Sequence, residues 1–544
     1  MKILAYNCGH DGSVVLIEDG RLQFCLESEK DDGLRHLWAI PPELFLRSLQ
    51  LPEPPDIVAI SGFRSRSMLG AHIAHPSRDN VEAGYFEEGP KGKIARETIF
   101  VGRNIRRFSS SHVRSHIMCS YGMSPFPQGQ PCYALIWEGR LGAMYYIDEN
   151  VSIQKIGDVV EHPGVRYIFP YWLANPSGYG DEDPAGRVMA LAAYGRPEAR
   201  TAEQQELIDY IFSFDPWADR DKSKFNKSPY FDLGVESQDC KDLSRHLSIE
   251  MFDRFYKFAK KHVRPGLPLL IGGGCGLNCD WNSQWRECGL FSDVFVPPCP
   301  NDSGVSIGAA VDALHHYTKN AKISWNVYCG DPFIEDEIES PGFEVHPLNL
   351  PDICRRLKRG EVIAWVQGRY EIGPRALGNR SLLAAPFSSQ SRDKLNRIKQ
   401  REAYRPIAPI CLEEDFGRHF EHHGPSPHML YFQRVRSSEL AAITHVDGSA
   451  RGQSVSDVEN PQICALLREF REQTGFGVLC NTSLNFKGCG FINRMSHLFL
   501  YARQRELDGF VVGDHFFERI HADNSLPEHV FSPSTDATVP ASSC

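Results

Sequence analysis

Lys2-Ile3-Leu4-Ala5-Tyr6-Asn7-Cys8-Gly9-His10-Asp11-Gly12-Ser13-Val14-Val15-Leu16-Ile17-Glu18-Asp19-Gly20 is the stretch from which the fold is read. Ile3 to Tyr6 is a strand, Gly9 to Ser13 a turn and Val14 to Ile17 a second strand. Glu18-Asp19-Gly20 makes another turn, and Leu22 to Leu26 a third strand. The pattern returns about 125 residues later, which predicts an internal duplication. There Tyr133 to Ile136 is a strand, Trp137-Glu138-Gly139 a turn, and Gly142 to Ile147 a strand. Pro268 to Ile271 is a short buried strand running into Gly272-Gly273-Gly274-Cys275-Gly276 and then Leu277-Asn278. Three glycines at a strand end let backbone approach a ligand with no Cβ in the way, although an ordinary tight turn has the same composition.

The chain of 544 residues predicts two to four domains. Its 42% hydrophobic and 24% charged residues are those of a soluble globular protein. A net charge of -10 argues against general nucleic-acid binding, while leaving room for a local basic pocket. The segment before Asp11 has no apolar core of a signal peptide, and no apolar run approaches the roughly 20 residues of a membrane helix. The 16 cysteines are scattered, several inside strand-like runs (Cys25, Cys132, Cys480). They read as buried reduced thiols of a cytoplasmic protein. Cys275 and Cys279 have no second pair nearby, so they do not make a zinc knuckle.

Residues 315–360 are rich in Pro, Asp and Glu and read as a linker, followed by a strand at Val362 to Val366. The domains are therefore set at 1–340 and 341–524, with a disordered Ser/Thr/Pro-rich tail at 525–544.

His112 and His116, at i and i+4, share a helix face as two metal ligands must. Alone, such a pair serves equally as a polar helix face. Val113 stands where a zincin carries its glutamate, which removes the general base of a metalloprotease. Glu138 in the second hairpin turn and Asp302 in Pro300-Asn301-Asp302-Ser303-Gly304 supply two carboxylates. Two imidazoles and two carboxylates suit ferrous iron, manganese or zinc.

These residues resemble the N-terminal domain of the O-carbamoyltransferases of antibiotic biosynthesis. That domain is related to tRNA threonylcarbamoyl-transfer proteins and more distantly to actin, sugar kinases and heat-shock ATPases. Asn175-Pro176-Ser177-Gly178 and Gly186-Arg187-Val188-Met189-Ala190-Leu191-Ala192-Ala193-Tyr194-Gly195 match it too. The second half resembles the family's YrdC-like domain in three strings. They are Gly368-Arg369-Tyr370-Glu371-Ile372-Gly373-Pro374-Arg375-Ala376-Leu377-Gly378-Asn379-Arg380-Ser381; Lys399-Gln400-Arg401-Glu402 with Arg405-Pro406; and Asn481-Thr482-Ser483-Leu484-Asn485. The resemblance implies an α/β protein: a duplicated actin-like ATPase domain followed by a YrdC-like α/β domain. In one departure, Glu138 stands where the family often carries Asp.

The resemblance implies a two-step route. Carbamoyl phosphate, a small dianion, would be bound in the C-terminal domain by Arg375, Lys399, Arg405, Arg451 and Ser483, residue types that grip phosphate. ATP with Mg²⁺ would give carbamoyl-adenylate there, with Arg375, Lys399 and Arg405 offsetting charge on the transferring group. Gly272, Gly273, Gly274 and Asn278 would then hold the adenylate beside Fe²⁺ or another divalent metal on His112, His116, Glu138 and Asp302. His10 is the candidate general base for the acceptor hydroxyl. Asp11 is too close in sequence to be assumed its orienting partner, because consecutive strand side chains diverge, and is instead a candidate to contact metal or water. Lys30, Arg35 and His36 are candidates to line the acceptor channel, with 62–105 as an acceptor-facing insertion of no readable pattern.

Two rivals are a tRNA threonylcarbamoyl-type transferase and a non-catalytic actin-like binding module. The charge and the lack of basic clusters favour a small acceptor, and the retained metal and arginine residues favour an enzyme. The N-terminal Gly9-His10-Asp11-Gly12 and Glu27-Ser28-Glu29-Lys30-Asp31 look closest to the cephem, macrolide and ansamycin branch. A homodimer is compatible with the sequence.

Overall fold

The computed structural model describes residues 1–31, 44, 50–62, 83–86, 93–100, 103–178, 184–216, 221–336, 342–421 and 424–520. The first sheet begins as a meander of β1 (Lys2–Asn7), β2 (Ser13–Glu18) and β3 (Arg21–Glu27). Asp19 and Gly20 turn β2 into β3 with φ of 48° and 75°, the two positive values that a two-residue hairpin of matching twist requires. β4 (Ile57–Ser61) then pairs parallel to β1, and β6 (Arg103–Ser110) parallel to β4, with β5 (Lys93–Phe100) on the edge. The order is β3-β2-β1-β4-β6-β5.

The second sheet repeats this plan. β7 (Cys132–Trp137), β8 (Leu141–Ile147) and β9 (Ile153–Glu161) form the meander, β10 (Leu269–Gly272) pairs parallel to β7, and β11 (Val294–Phe295) parallel to β10. The expected duplication is visible in five strands of each sheet, with β5 an addition to the first. Helix α1 (His112–Met123) packs on β7 and β10, and Val305–Thr318, α5 below, packs on β1, β4 and β6. Both lie in one apolar core with Ile3, Val15, Ile117, Ile136, Leu270, Ile307 and Val311. Every residue of α1 is buried, so its polar side chains must find partners inside. On the outer face of the second sheet α2 (Pro184–Ala192), α3 (Gln238–His262) and α4 (Cys279–Glu287) cover Trp137 with Phe255, Trp281 and Trp285. No helix among the described residues is long and apolar enough to cross a membrane.

After α5 (Val305–Thr318) the chain enters a third sheet, of eight strands. These are β12 (Phe343–Pro347), β13 (Ile363–Val366), β14 (Arg380–Ala384), β15 (Ala408–Leu412), β18 (Gln453–Val455), β19 (Val478–Ser483), β20 (Gly509–Val512) and β21 (His515–Arg519). Their order is β12-β21-β20-β13-β14-β19-β15-β18, and a separate small ribbon joins β16 (Gln433–Arg434) to β17 (Ser449–Ala450). Ile363 and Trp365 face a core with α6 (Leu350–Lys358) and α7 (Pro461–Thr474), while Ala364 and Val366 face the opposite core.

The linker expected at 315–360 is corrected. α5 runs to Thr318, β12 is an edge strand of the eight-stranded sheet, and α6 is a regular helix packed on it. Asn349 caps α6, Pro351 sits in its first turn, and Ile353, Cys354 and Leu357 are its buried stripe, too short to stand out among charged neighbours. Between α5 and β12 the chain lies along β3: Ser324 O accepts from Leu22 N at 2.9 Å and Cys329 O from Cys25 N at 3.0 Å. The expected tail at 525–544 lies outside the described residues.

α1 crosses α5 at Gly308, where an added Cβ would sit 1.7 Å from the Ser115 carbonyl oxygen. Gly308→Ala should therefore cost about 1–3 kcal/mol, the range of overpacked cores. A thermal midpoint unchanged from wild type would contradict this crossing.

Candidate active site

Ser111 starts α1 by accepting from Arg114 N at 3.2 Å. One face of the first turns then presents His112 and His116, whose Nε2 atoms lie 3.2 Å apart. Another face carries Arg114, which forks onto Asp312 of α5 through Nε at 2.8 Å and Nη2 at 3.0 Å. Glu138 leaves the end of β7 and brings Oε2 to 3.1 Å from His112 and 3.3 Å from His116. Asp302, just ahead of α5, brings Oδ1 to 3.5 Å and 3.3 Å from the same two nitrogens. All four donor atoms lie within 4.8 Å of one another. Ligands at about 2.0–2.2 Å from one cation stand roughly 3.0–3.6 Å apart, and the imidazole–imidazole and imidazole–carboxylate distances fall in that range, so the four side chains could hold a metal.

Charge points the same way. Burial opposes a proton on His112, yet Asp302 and Glu138 carry it up to about 10, and His116 rises for similar reasons. Burial would raise Glu138, but the two imidazoles hold it down at about 2, and Asp302 lies well below its ordinary range. Two carboxylates demanding two positive charges are the complement of one divalent cation.

The turn bearing His10 is fixed onto this centre. Asn7 Nδ2 donates to the carbonyls of His10 at 2.8 Å, Asp11 at 3.2 Å and Asp302 at 3.0 Å. The expectation for Asp11 is corrected: its Oδ2 lies 3.3 Å from His10 Nδ1. Asp11 has φ of 50°, and this left-handed backbone turns its side chain beside its neighbour's instead of away from it. Asn301 Nδ2 holds the same oxygen at 3.0 Å. Burial disfavours the His10 cation, but Asp11 and Asp302 carry it up to about 9.

The glycines after β10 divide by role. A Cβ on Gly273 would meet Trp137 O at 2.3 Å, and one on Gly272 would meet His116 O at 3.2 Å. At Gly273, which has φ of 92°, the backbone leading into Glu138 leaves no room for a side chain, whereas at Gly272 the contacts, led by the Ile136 side chain at 3.0 Å, are tight but less severe. Gly274 faces open space. Asn278 caps α4 by accepting from Trp281 N at 3.3 Å.

Arg375 Nη2 donates to Leu277 O at 3.1 Å, which places the second half's arginine against this glycine-rich loop. Burial, and repulsion from Arg375 and Arg405, press the Arg451 guanidinium down to about 9. The Nε atoms of Arg375 and Arg451 are buried with no hydrogen-bond partner, as in a site made for an anion. Arg405 reaches Glu402 at 3.8 Å, and Glu402 also holds Arg187 of α2 at 2.8 Å. Lys399 Nζ is engaged by Ser483 O at 2.6 Å, Ser483 Oγ at 3.3 Å and Asn485 O at 3.1 Å. The structure thus brings together Arg375, Arg405 and Arg451, and separately Lys399 with Ser483.

Lys30 is corrected. Its buried ammonium pairs with Glu27 at 2.5 Å and donates to Glu371 O at 2.7 Å and Gly373 O at 2.8 Å. It ties the two halves together and does not line an acceptor channel. Arg35, His36 and most of 62–105 lie outside the described residues. Three residues escaped the sequence reading. Tyr85 donates to Glu138 Oε1, with no periodicity around it to mark it. Asn485 joins Ser483 at Lys399, and its place within a matched string was the only available signal. Glu371 Oε1 accepts from Leu377 N at 2.5 Å, Asn379 N at 3.1 Å and Arg380 N at 3.4 Å, so it shapes the loop carrying Arg375.

The chain belongs to the carbamoyltransferase family, a group of enzymes. The family described as carbamoyltransferase N-terminus matches residues 97–232 and 256–311, and that described as carbamoyltransferase C-terminus matches 354–519. A 3'-hydroxymethylcephem-O-carbamoyltransferase of Streptomyces clavuligerus is 44% identical over 96% of this chain and 99% of its own. The protein of the same description from Amycolatopsis lactamdurans is 44% identical over 95% of this chain and 99% of its own. Nodulation protein U of Rhizobium tropici is 34% identical over 90% of this chain and 92% of its own. Among solved structures, a ROK hexokinase from Thermus thermophilus covers 57% of this chain and 98% of its own at 12% identity and a TM-score of 0.28, too low to bear on the fold.

Glu371→Ala strands three buried N–H donors, at about 1–3 kcal/mol for each left unsatisfied, whereas Glu371→Gln retains an acceptor. The Ala variant should melt well below the Gln variant and be cut faster by protease within 373–379. Equal midpoints for the two would remove Glu371 from its role in the loop.

Proposed function

We propose that this enzyme is an ATP-dependent O-carbamoyltransferase acting on a hydroxymethyl group of a cephem-type acceptor. The identity to two proteins described as 3'-hydroxymethylcephem-O-carbamoyltransferases supports the acceptor class. The observation that carries the chemistry is the contact between its two parts. Arg375, inside the string that Glu371 shapes, touches the loop leading from β10, while Glu138 is packed against the same strand end at Gly273.

In this reading carbamoyl phosphate binds at Arg375, Arg405 and Arg451. Water releases its phosphate, and the resulting carbamate attacks the α-phosphate of ATP, giving carbamoyl-adenylate and pyrophosphate. The guanidiniums stabilise charge on the transferring group. The adenylate lies along the open face at Gly274. His112, His116, Glu138 and Asp302 would hold a divalent metal, Fe²⁺ or another, which supplies Lewis acidity when bound. His10 in its neutral form, oriented by Asp11, takes the proton of the acceptor hydroxyl as its oxygen attacks the carbamoyl carbon and AMP leaves; a metal on Asp302 would offset part of the negative charge that otherwise keeps a proton on this ring.

The test combines the full chain with ATP, Mg²⁺, carbamoyl phosphate, Fe²⁺ and a 3'-hydroxymethylcephem. Product should gain one carbamoyl group, with AMP and pyrophosphate formed. Transfer without ATP, or with threonine and bicarbonate in place of carbamoyl phosphate, would overturn the reading. Arg375→Ala should block adenylate formation yet use synthetic carbamoyl-adenylate; loss of both steps would make Arg375 structural. His112→Ala should lose bound metal, read by elemental analysis, and transfer with it. His10→Asn should slow transfer from synthetic adenylate about 10²–10⁴-fold, the usual weight of a general base.

A further inference from the structure

We propose that Tyr85 is the positioning residue that commits Glu138 to the metal through a single oxygen; this rests on the metal reading above. Glu138 divides its two oxygens. Oε2 faces His112 at 3.1 Å and His116 at 3.3 Å, whereas Oε1 accepts the Tyr85 hydroxyl. An oxygen occupied by a phenol proton is withheld from a cation, so the carboxylate is turned toward one-oxygen ligation. The same ring stacks on His112, with centroids 4.5 Å apart and planes 23° from parallel. One side chain therefore touches two of the four donors.

Tyr85 is held in place by the helix that it serves. The first N–H groups of a helix have no partner within it. In α1 two of them are taken by this segment: His112 N donates to Gly84 O, and Val113 N to Tyr85 O, each at 3.0 Å. Ala83 N is fixed on Ser109 Oγ at 3.0 Å, and a Cβ on Gly62 would strike Gly84 O at 2.3 Å. The Tyr85 backbone is thus registered to the residue that begins α1 and bears the first histidine. The arrangement also answers the departure at position 138. A glutamate has one more rotatable bond than an aspartate, and a donor at the end of that longer arm removes the freedom. Partners of this kind around metal ligands typically contribute 10–100-fold in affinity.

The experiment titrates the chelator-stripped full chain with Co²⁺ and follows visible absorption, which reports coordination number and ligand geometry. Tyr85→Phe keeps the ring on His112 and removes only the hydroxyl. It should weaken Co²⁺ binding about 10–100-fold. Its absorption should also fall in intensity, as the freed oxygen joins the metal. In a Glu138→Gln background the same change should add nothing, because the partner is already altered. Unchanged affinity and spectrum in Tyr85→Phe, or a full further loss in the Glu138→Gln background, would overturn the role of Tyr85 alone. Absence of Co²⁺ binding by wild type would instead overturn the metal centre and Tyr85 with it.

Discussion

Ser115 and Gly308 meet where α1 crosses α5, and the candidate centre depends on that contact. A Cβ at Gly308 would overlap the Ser115 carbonyl, so the two helix backbones approach as closely as backbones can. His112 and His116 ride on one of these helices, and Asp302 immediately precedes the other. Three of four donors are therefore set by one helix pair, and a slight separation would open the cluster. Arg114 and Asp312 fix the rotation of that pair. Both are buried, and Ser110 Oγ adds a bond to Asp312 at 2.9 Å. Removing one partner of such a pair leaves a naked charge and typically costs about 3–5 kcal/mol. The ion pair thus matters less as a source of stability than as a lock that keeps the helices in one register.

The second constraint joins the halves. Glu27 and Lys30, at the end of β3, hold Gly373 N at 2.6 Å and the carbonyls of Glu371 and Gly373. On its other side Gly373, with φ of 84°, presses on Pro298, where a Cβ would come within 2.1 Å of the carbonyl oxygen. Pro298 lies four residues before Asp302. The loop carrying Arg375 and the segment carrying Asp302 are consequently packed face to face.

Much of this was legible where local pattern decides structure. The apolar runs Ile3 to Tyr6 and Val14 to Ile17, the Glu18-Asp19-Gly20 turn and the i, i+4 histidines each follow from local pattern, and each is found where expected. The role of Lys30 was set by distant residues. Lys30 looked like an exposed channel cation because its partners, Glu371 and Gly373, lie more than 340 residues away. Gly273 has a reason to be glycine that the sequence does not display, because the backbone of Trp137 occupies the space that its Cβ would need. The Asp11 error was local. One residue in the left-handed region reverses the rule that neighbouring side chains diverge, and a Gly-flanked Asp in a turn is a type that adopts it.

Position 138 shows how the two levels meet. Its backbone is closed on every side: Glu138 N donates to Leu141 O at 2.8 Å, Gly164 N donates to Glu138 O at 3.2 Å, and Gly273 leaves its own Cβ space to Trp137. The turn therefore cannot move to suit a ligand, and the side chain must span whatever distance the turn leaves. An aspartate would solve that with a turn set closer to the histidines. A glutamate solves it with reach, at the cost of an extra torsion that something else must fix. In this chain that fixing group comes from residues 83–86, outside both duplicated meanders, and it grips the same helix end that carries His112. The cluster thus takes Glu138 from the shared sheet plan, and the hydroxyl bonded to that carboxylate from the segment between β4 and β5.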